Sequence, residues 1–197
     1  GDVYKRQVKC SAEQIIFTSG HQQSLNIIAN LFSYTDWNFA MEDPGYNGTR
    51  HTMKQNHFHI TPIPVENDGI SIKELQNLFQ TLLYVTPSHQ FPMGSVLSIT
   101  KRLQLLEWAE KNNGYIIEDD YDSELRYHNR PIPSLQSIDS GNRTIYLGTF
   151  SKSLSPDLRI AYIVLPMPLW ASYREKYLYA NCTCLLYTSP SPRDAHE

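Results

Sequence analysis

The sequence predicts an α/β fold: a three-layer arrangement in which a mostly parallel sheet carries helices on both faces. Three observations predict it. Short β-type runs alternate with helix-spaced apolar segments along the middle of the chain, the pattern of a parallel sheet whose crossovers are helices. Turn formers rather than long linkers separate these segments, and no internal repeat or low-complexity stretch interrupts them. The length of 197 residues and the hydrophobic fraction of 41% suit one domain with a sizeable core.

Taken in order, Ile15–Thr18 is the first strand, followed by Ser19-Gly20 and an amphipathic helix. In that helix Leu25, Ile28, Ala29 and Phe32 recur at i, i+3, i+4 and i+7, which places them on one face. Phe39–Glu42 is the next strand, closed by the turn signal Asp43-Pro44-Gly45. A helical stretch at Asn47–Asn56 leads to the alternating strand Phe58–Thr61. After Asp68-Gly69 a helix is expected over Ile70–Phe79, because Leu75, Leu78, Phe79 and Leu82 repeat the helical spacing. Leu82–Thr86 is the next strand, and Ser98–Lys111 is a helix ended by Asn112-Asn113-Gly114 as a C-cap. Tyr115–Glu118, Thr144–Leu147 and Ile160–Leu165 complete the strand set.

Composition narrows the function classes. Lys and Arg total 17 against 20 Asp and Glu, a net charge of −3, so there is no strongly basic footprint for nucleic acid. No apolar run reaches the ~20 residues of a membrane span. Cys10, Cys182 and Cys184 are odd in number and lack a disulfide or zinc spacing, which suits a reducing cytoplasm. His57 and His59 share one side of the strand expected there, but no third ligand follows at a useful spacing. They read as solvated or structural, and no metal is expected. The ends, Gly1–Gln7 and Cys184–Glu197, resemble translated sequencing-adapter read-through. Residues 8–183 are therefore expected to be an internal piece of a longer protein.

In such sheets ligands bind where loops leave the carboxyl ends of strands. Four strand-end loops carry unusual polar residues. The first, Thr18-Ser19-Gly20-His21-Gln22, joins a glycine that permits close backbone approach to the positive end of a helix; it is either a phosphate cradle or a plain N-cap turn. In the second, Glu42-Asp43-Pro44-Gly45-Tyr46, the tyrosine can lie flat against a planar ring or simply join the core. The third, Thr86 to Gly94, offers His89 and Gln90 as hydrogen-bonding groups for a ring substituent, although His89 could equally be structural. The fourth runs Glu118-Asp119-Asp120-Tyr121-Asp122-Ser123-Glu124. A carboxylate here can keep a heterocyclic nitrogen protonated, while Tyr121 falls on the same side as Asp119 if the strand continues. A divalent-cation site using several of these acids is the competing reading.

A fifth element follows. Lys152 lies between the strands Thr144–Leu147 and Ile160–Leu165, among small hydroxyl residues, with Arg159 seven positions on. An amine in that setting can form a Schiff base with an aldehyde cofactor whose phosphate is held by hydroxyls and a guanidinium. Each element alone is weak. Together, in this order on an α/β chain, they point to pyridoxal 5′-phosphate.

The phrases FTSGHQQSLNIIANLF, EDPGYNGTR, YVTPSHQFPMGSVLS, IIEDDYDSELRY and YLGTFSKSLSPDLRIAYIVLP resemble the aminotransferase-type fold of pyridoxal-phosphate enzymes (class I/II, fold type I), and within it the MocR/GntR transcriptional regulators, almost throughout residues 8–183. Where general aminotransferases more often show an Asn-Pro-x-Gly loop, this chain has His89-Gln90-Phe91-Pro92-Met93-Gly94, which favours the regulator branch. The resemblance implies an incomplete large domain and assigns roles by position. Lys152 would carry the cofactor as an imine, Asp119 would pair with the pyridine nitrogen, Tyr121 would approach the ring hydroxyl and Tyr46 would stack on the ring. The Gly20 and His21 backbone amides, with Thr149, Ser151 and Arg159, would hold the phosphate, and Gln90 or His89 would replace the usual asparagine at the ring hydroxyl. It further implies a cytoplasmic homodimer that senses an amino-acid-like small molecule and contacts DNA through a winged-helix domain absent from this chain. A pyridoxal-phosphate-dependent aminotransferase acting on an amino acid is the alternative.

Overall fold

The computed structural model describes residues 8–33, 35–121, 132–149 and 160–177. Their eight strands form a single sheet: β1 (Ile15–Thr18), β2 (Asn38–Asp43), β3 (Ile60–Glu66), β4 (Gly69–Ile70), β5 (Thr81–Val85), β6 (Tyr115–Asp120), β7 (Thr144–Thr149) and β8 (Ala161–Val164). The spatial order is β1-β8-β7-β6-β5-β2-β3-β4. The central strands β7, β6, β5, β2 and β3 are parallel neighbours, while β8 runs antiparallel to both β7 and β1. Two reversals restore the direction, so β1 runs the same way as the centre. The carboxyl ends of β1, β2, β5, β6 and β7 therefore open on one edge.

Six α-helices accompany the described strands: α1 (His21–Phe32), α2 (Asn47–Gln55), α3 (Ile72–Leu75), α4 (Ile99–Lys111), α5 (Leu135–Ile138) and α6 (Met167–Tyr177). The alternation of side chains along each strand splits the core in two. Phe39, Met41, Leu82, Tyr84 and Ile117 pack with Leu25, Ile28 and Phe32 of α1 on one side. Ala40, Leu83, Val85 and Ile116 pack with Leu105, Trp108 and Ala109 of α4 on the other. Strands β5 and β6 are buried along their whole length, as three-layer packing requires.

Local signals account for the helix ends. Ser98 caps α4, its Oγ accepting from Lys101 N at 3.3 Å. At the other end Asn113 takes φ 52°, and Gly114 N returns to Ala109 O at 2.8 Å, so the expected C-cap is present.

Three expectations are corrected. The helix foreseen over Ile70–Phe79 is only the single turn of α3. Gly69, at φ 112°, turns the chain so that β4 pairs back on β3, and Leu82 belongs to β5, where it pairs with Phe39. The helical spacing of the leucines is real but spans one turn and a strand; sheet pairing outweighed it. Strand β3 starts later than foreseen and runs on through Pro62 and Pro64. Pro64 O accepts from Ser71 N on the side away from β2, so the missing proline N–H groups face the side where β2 needs no donor. Finally, His57 and His59 precede β3, and His57 sits in a turn at φ 66°, so they do not share a strand face.

Candidate functional site

The five aligned carboxyl ends enclose a cavity of about 270 Å³ among the described residues. Its wall includes His21 from the start of α1, Tyr46 after β2, Tyr84 and Thr86 from β5 and its end, Asp119 and Tyr121 from β6 and its end, and Thr149 at the end of β7. Five of the residues singled out in the sequence are thus brought together from four separate loops.

Asp119 is the centre of this wall and only 3% exposed. Its Oδ2 accepts from His21 Nε2 at 2.8 Å and from the Tyr84 hydroxyl. Its Oδ1 is buried and has no hydrogen-bond partner. A buried carboxylate oxygen left unpaired is costly and calls for a donor. Tyr84 is fully buried; that burial, and then the Asp119 charge, hold its phenol well above the ordinary tyrosine range, so it stays a donor. For His21, burial pulls the imidazole down, but the charge and hydrogen bond of Asp119 outweigh it and leave the net shift upward.

Gly20 precedes α1 at φ 136°, a conformation that side chains rarely adopt, and is followed by His21, the first residue of the helix and part of the cavity wall. Gly20→Ala is expected to destabilise the domain by about 1–3 kcal/mol, measured as a lower denaturation midpoint. Tyr46 stands at the rim, 41% exposed, edge-on to His21 at 5.9 Å and to Phe91 at 5.7 Å between ring centroids. Beyond the end of β6, Tyr121 stacks on the His89 ring (centroids 6.2 Å apart) and donates its hydroxyl to His89 O at 2.9 Å. It shares the cavity with Asp119 although the strand has already ended.

The third loop behaves differently from the others. Gln90 is buried, its amide nitrogen bonds Pro44 O at 2.9 Å and Phe91 O at 2.7 Å, and its oxygen accepts from Met93 N at 2.9 Å. Those bonds hold the loop; in the described wall Thr86 and Phe91 represent this segment, not Gln90 or His89. Ser151, Lys152 and Arg159 lie outside the described residues. Among the described residues, the acids of the fourth loop turn to different partners. Glu118 turns to Arg102 and the start of α5, Asp119 faces the cavity, and Asp120 accepts from Tyr146 at 2.7 Å.

The residues present fit pyridoxal 5′-phosphate. The orphaned Asp119 Oδ1 suits a protonated ring nitrogen, and the start of α1 beside Thr149 suits a phosphate. Residues 3–186 match the family described as aminotransferase class I and II. The chain belongs to that family. Within it, this aminotransferase-like domain is homologous to regulators of the MocR type. It is 48% identical over 164 residues to the uncharacterized HTH-type transcriptional regulator YdeL of Bacillus subtilis, covering 83% of this chain and 35% of that one. It is 41% identical over 170 residues to the probable rhizopine catabolism regulatory protein MocR of Rhizobium meliloti, covering 86% of this chain and 34% of that one. Among solved structures, an archaeal alanine:glyoxylate aminotransferase superposes with a TM-score of 0.80 at 29% identity, over 91% of this chain and 47% of its own. The chain thus spans about a third of the length of the curated relatives it matches.

Behind the cavity, Glu42 ties β2 to the third loop. Its Oε2 accepts from Thr86 N at 3.2 Å, Thr86 Oγ1 at 2.8 Å and Gln90 Nε2 at 3.3 Å. Burial pushes its carboxyl up to about 7 against those hydrogen bonds, and the Asp119 charge adds to the rise. Those three donors favour the charged form, and burial outweighs them. The folded state therefore keeps a proton that the unfolded chain has released above its ordinary value of 4.5. This contribution to stability is full below that value and is lost as pH rises to about 7. A shift of that size is worth at most about 3 kcal/mol. Denaturant midpoints of the domain are expected to fall across that window, and Glu42→Gln, which keeps the carbonyl acceptor, is expected to flatten the slope.

Proposed function

We propose that this chain is the pyridoxal-phosphate-binding, aminotransferase-like effector domain of a MocR/GntR-type transcriptional regulator that senses an amino-acid-like small molecule. The observation that carries the cofactor reading is the buried, unpartnered Oδ1 of Asp119 facing a cavity among strand ends. The regulator reading is supported by relatives named as transcriptional regulators at 48% and 41% identity. In the intact protein, a winged-helix domain outside this chain makes the DNA contact, and two copies associate as a cytoplasmic homodimer. The net charge of −3 is in keeping with DNA contact lying elsewhere. No helix among the described residues is long and apolar enough to cross a membrane.

Bound pyridoxal phosphate supplies an aldehyde that condenses with amines and an electron-poor ring that stabilises carbanions. Asp119 Oδ1 holds the proton at the ring nitrogen. His21 and Tyr84 fix the other oxygen of that carboxylate. Tyr121, which lines the same cavity, would serve the ring hydroxyl, and Tyr46 with Phe91 would cover the rim and exclude water. The amides of Gly20 and His21, with Thr149, Ser151 and Arg159, would bind the phosphate, and Lys152 would offer the amine. A ligand amine that competed for the position of Lys152 would shift the arrangement of the dimer.

The test is chemical. Full-length protein mixed with pyridoxal phosphate and reduced with borohydride is expected to carry the adduct on the Lys152 peptide, and Lys152→Ala is expected to abolish it. Trapping at another lysine, unchanged in Lys152→Ala, overturns the assignment. A working aminotransferase is the second reading, favoured by the superposition on the alanine:glyoxylate enzyme and by the intact Asp119 arrangement. Rapid multiple turnover with amino and keto acids would select it.

A further inference from the structure

We infer that the His21 side chain is a positioning residue for Asp119, so that one residue serves both ends of the cofactor. This rests on the pyridoxal-phosphate reading above, and it goes beyond the backbone contact to the phosphate that the sequence assigns to His21.

The argument starts from position. His21 is the first residue of α1, and its N–H belongs to the first turn, where amides lack intrahelical partners. Its imidazole crosses from that helix end to β6 and meets Asp119 Oδ2 at 2.8 Å, at a sequence separation of 98. A carboxylate oxygen of this pair can only accept, so His21 Nε2 carries the hydrogen and donates. Tyr84 donates to the same oxygen from β5. Two donors from different elements leave Oδ2 no freedom to turn and leave Oδ1 as the remaining acceptor. With Tyr84 alone, the carboxylate could rotate about a single hydrogen bond and present either oxygen to the cavity. His21 thus decides which oxygen meets the ring nitrogen. The same helix start would bring the His21 amide to the phosphate, so that the ring and the phosphate would be held in a common frame.

The experiment uses the full-length protein and two readouts: the pyridoxal phosphate dissociation constant from absorbance titration, and the pH at which the absorption band of the bound cofactor changes. His21→Ala keeps the backbone amide and removes the imidazole. It is expected to weaken binding about 10- to 100-fold, the loss of one hydrogen bond to a charged group, and to lower the pH of the spectral change. His21→Gln, whose amide can donate to Asp119, is expected to recover most of both. Circular dichroism reports folding. If His21→Ala does not fold, His21→Gln compared with the similarly sized His21→Met makes the same distinction. A dissociation constant and spectral profile of His21→Ala (or His21→Met) equal to wild type overturn this inference alone. Wild-type protein that takes up no pyridoxal phosphate overturns the cofactor reading and this inference with it.

Discussion

Asp119→Asn is expected to lower pyridoxal phosphate affinity by roughly 10- to 100-fold, the equivalent of one hydrogen bond to a charged group. The substitution is nearly isosteric, so the cavity keeps its shape. His21 and Tyr84 both donate to the oxygen now at Oδ2. They orient the new amide so that its carbonyl faces them and its NH2 faces the cavity. A donor then stands where the ring nitrogen needs an acceptor, and the ring nitrogen cannot keep its proton. Amino-acid exchange by the bound cofactor should slow by more than its affinity falls, because the uncharged ring withdraws less electron density. Absorbance titration gives the affinity, and mixing with an amino acid gives the exchange rate. An Asn variant that matches wild type in both would remove Asp119 from its assigned role.

Arg102→Met is expected to destabilise the domain by about 3–5 kcal/mol, the usual cost of breaking a buried ion pair by removing one partner. At a few degrees per kcal/mol this lowers Tm by on the order of 10 °C. Arg102 is fully buried in α4. Its Nε donates to Leu97 O at 3.0 Å, one terminal nitrogen to Pro87 O at 2.9 Å, and the other to Pro133 O at 3.2 Å, with Glu118 Oε1 at 3.5 Å. Methionine fills the volume but takes a donor from three carbonyls, of which Pro87 O keeps the Leu97 amide, and leaves Glu118 with only the amides of Leu135 and Gln136. Burial already pushes Glu118 up to about 7 against those amides and the Arg102 charge. Losing the cation removes one of the influences that favour its charged form. The double variant Arg102→Met/Glu118→Leu should therefore recover part of the loss, which calorimetry can compare with the single variant. Because Pro87 lies in the third loop and Leu97 just beyond it, the single variant should also weaken cofactor binding.

Much of this organisation is legible along the chain because its causes are local. Helix α1 shows in the spacing of Leu25, Ile28, Ala29 and Phe32, and α4 in Ser98 at one end and Asn113-Gly114 at the other. Asp119, Tyr121, Tyr46, His21 and Thr149 stand out as polar residues at or just after the ends of strands, and an α/β sheet gathers such positions at one edge. The false helix at Ile70–Phe79 shows the limit of local pattern. The same leucines serve one turn of α3 and a buried strand, and only the partner strand decides between them.

Tyr84 and Glu42 escaped notice for a related reason. Among 13 tyrosines, one inside an apolar strand reads as core, although a hydroxyl within a fully buried strand was a usable hint. Glu42 reads as the end of a strand before a turn signal, yet it is the buried acceptor that fastens the third loop. Likewise His21 shows its backbone role through its place after Gly20, whereas its side-chain role needs Asp119, which lies 98 residues away. The sequence by itself determined the α/β class, the strand-end residues and the chemistry they suit, because periodicity, capping and residue type act within a few positions. Tertiary structure alone decided which side chains share hydrogen bonds, which carboxylates face the cavity and which are spent on packing. Strand order and burial set those partnerships, and both arise from contacts between residues distant in the chain.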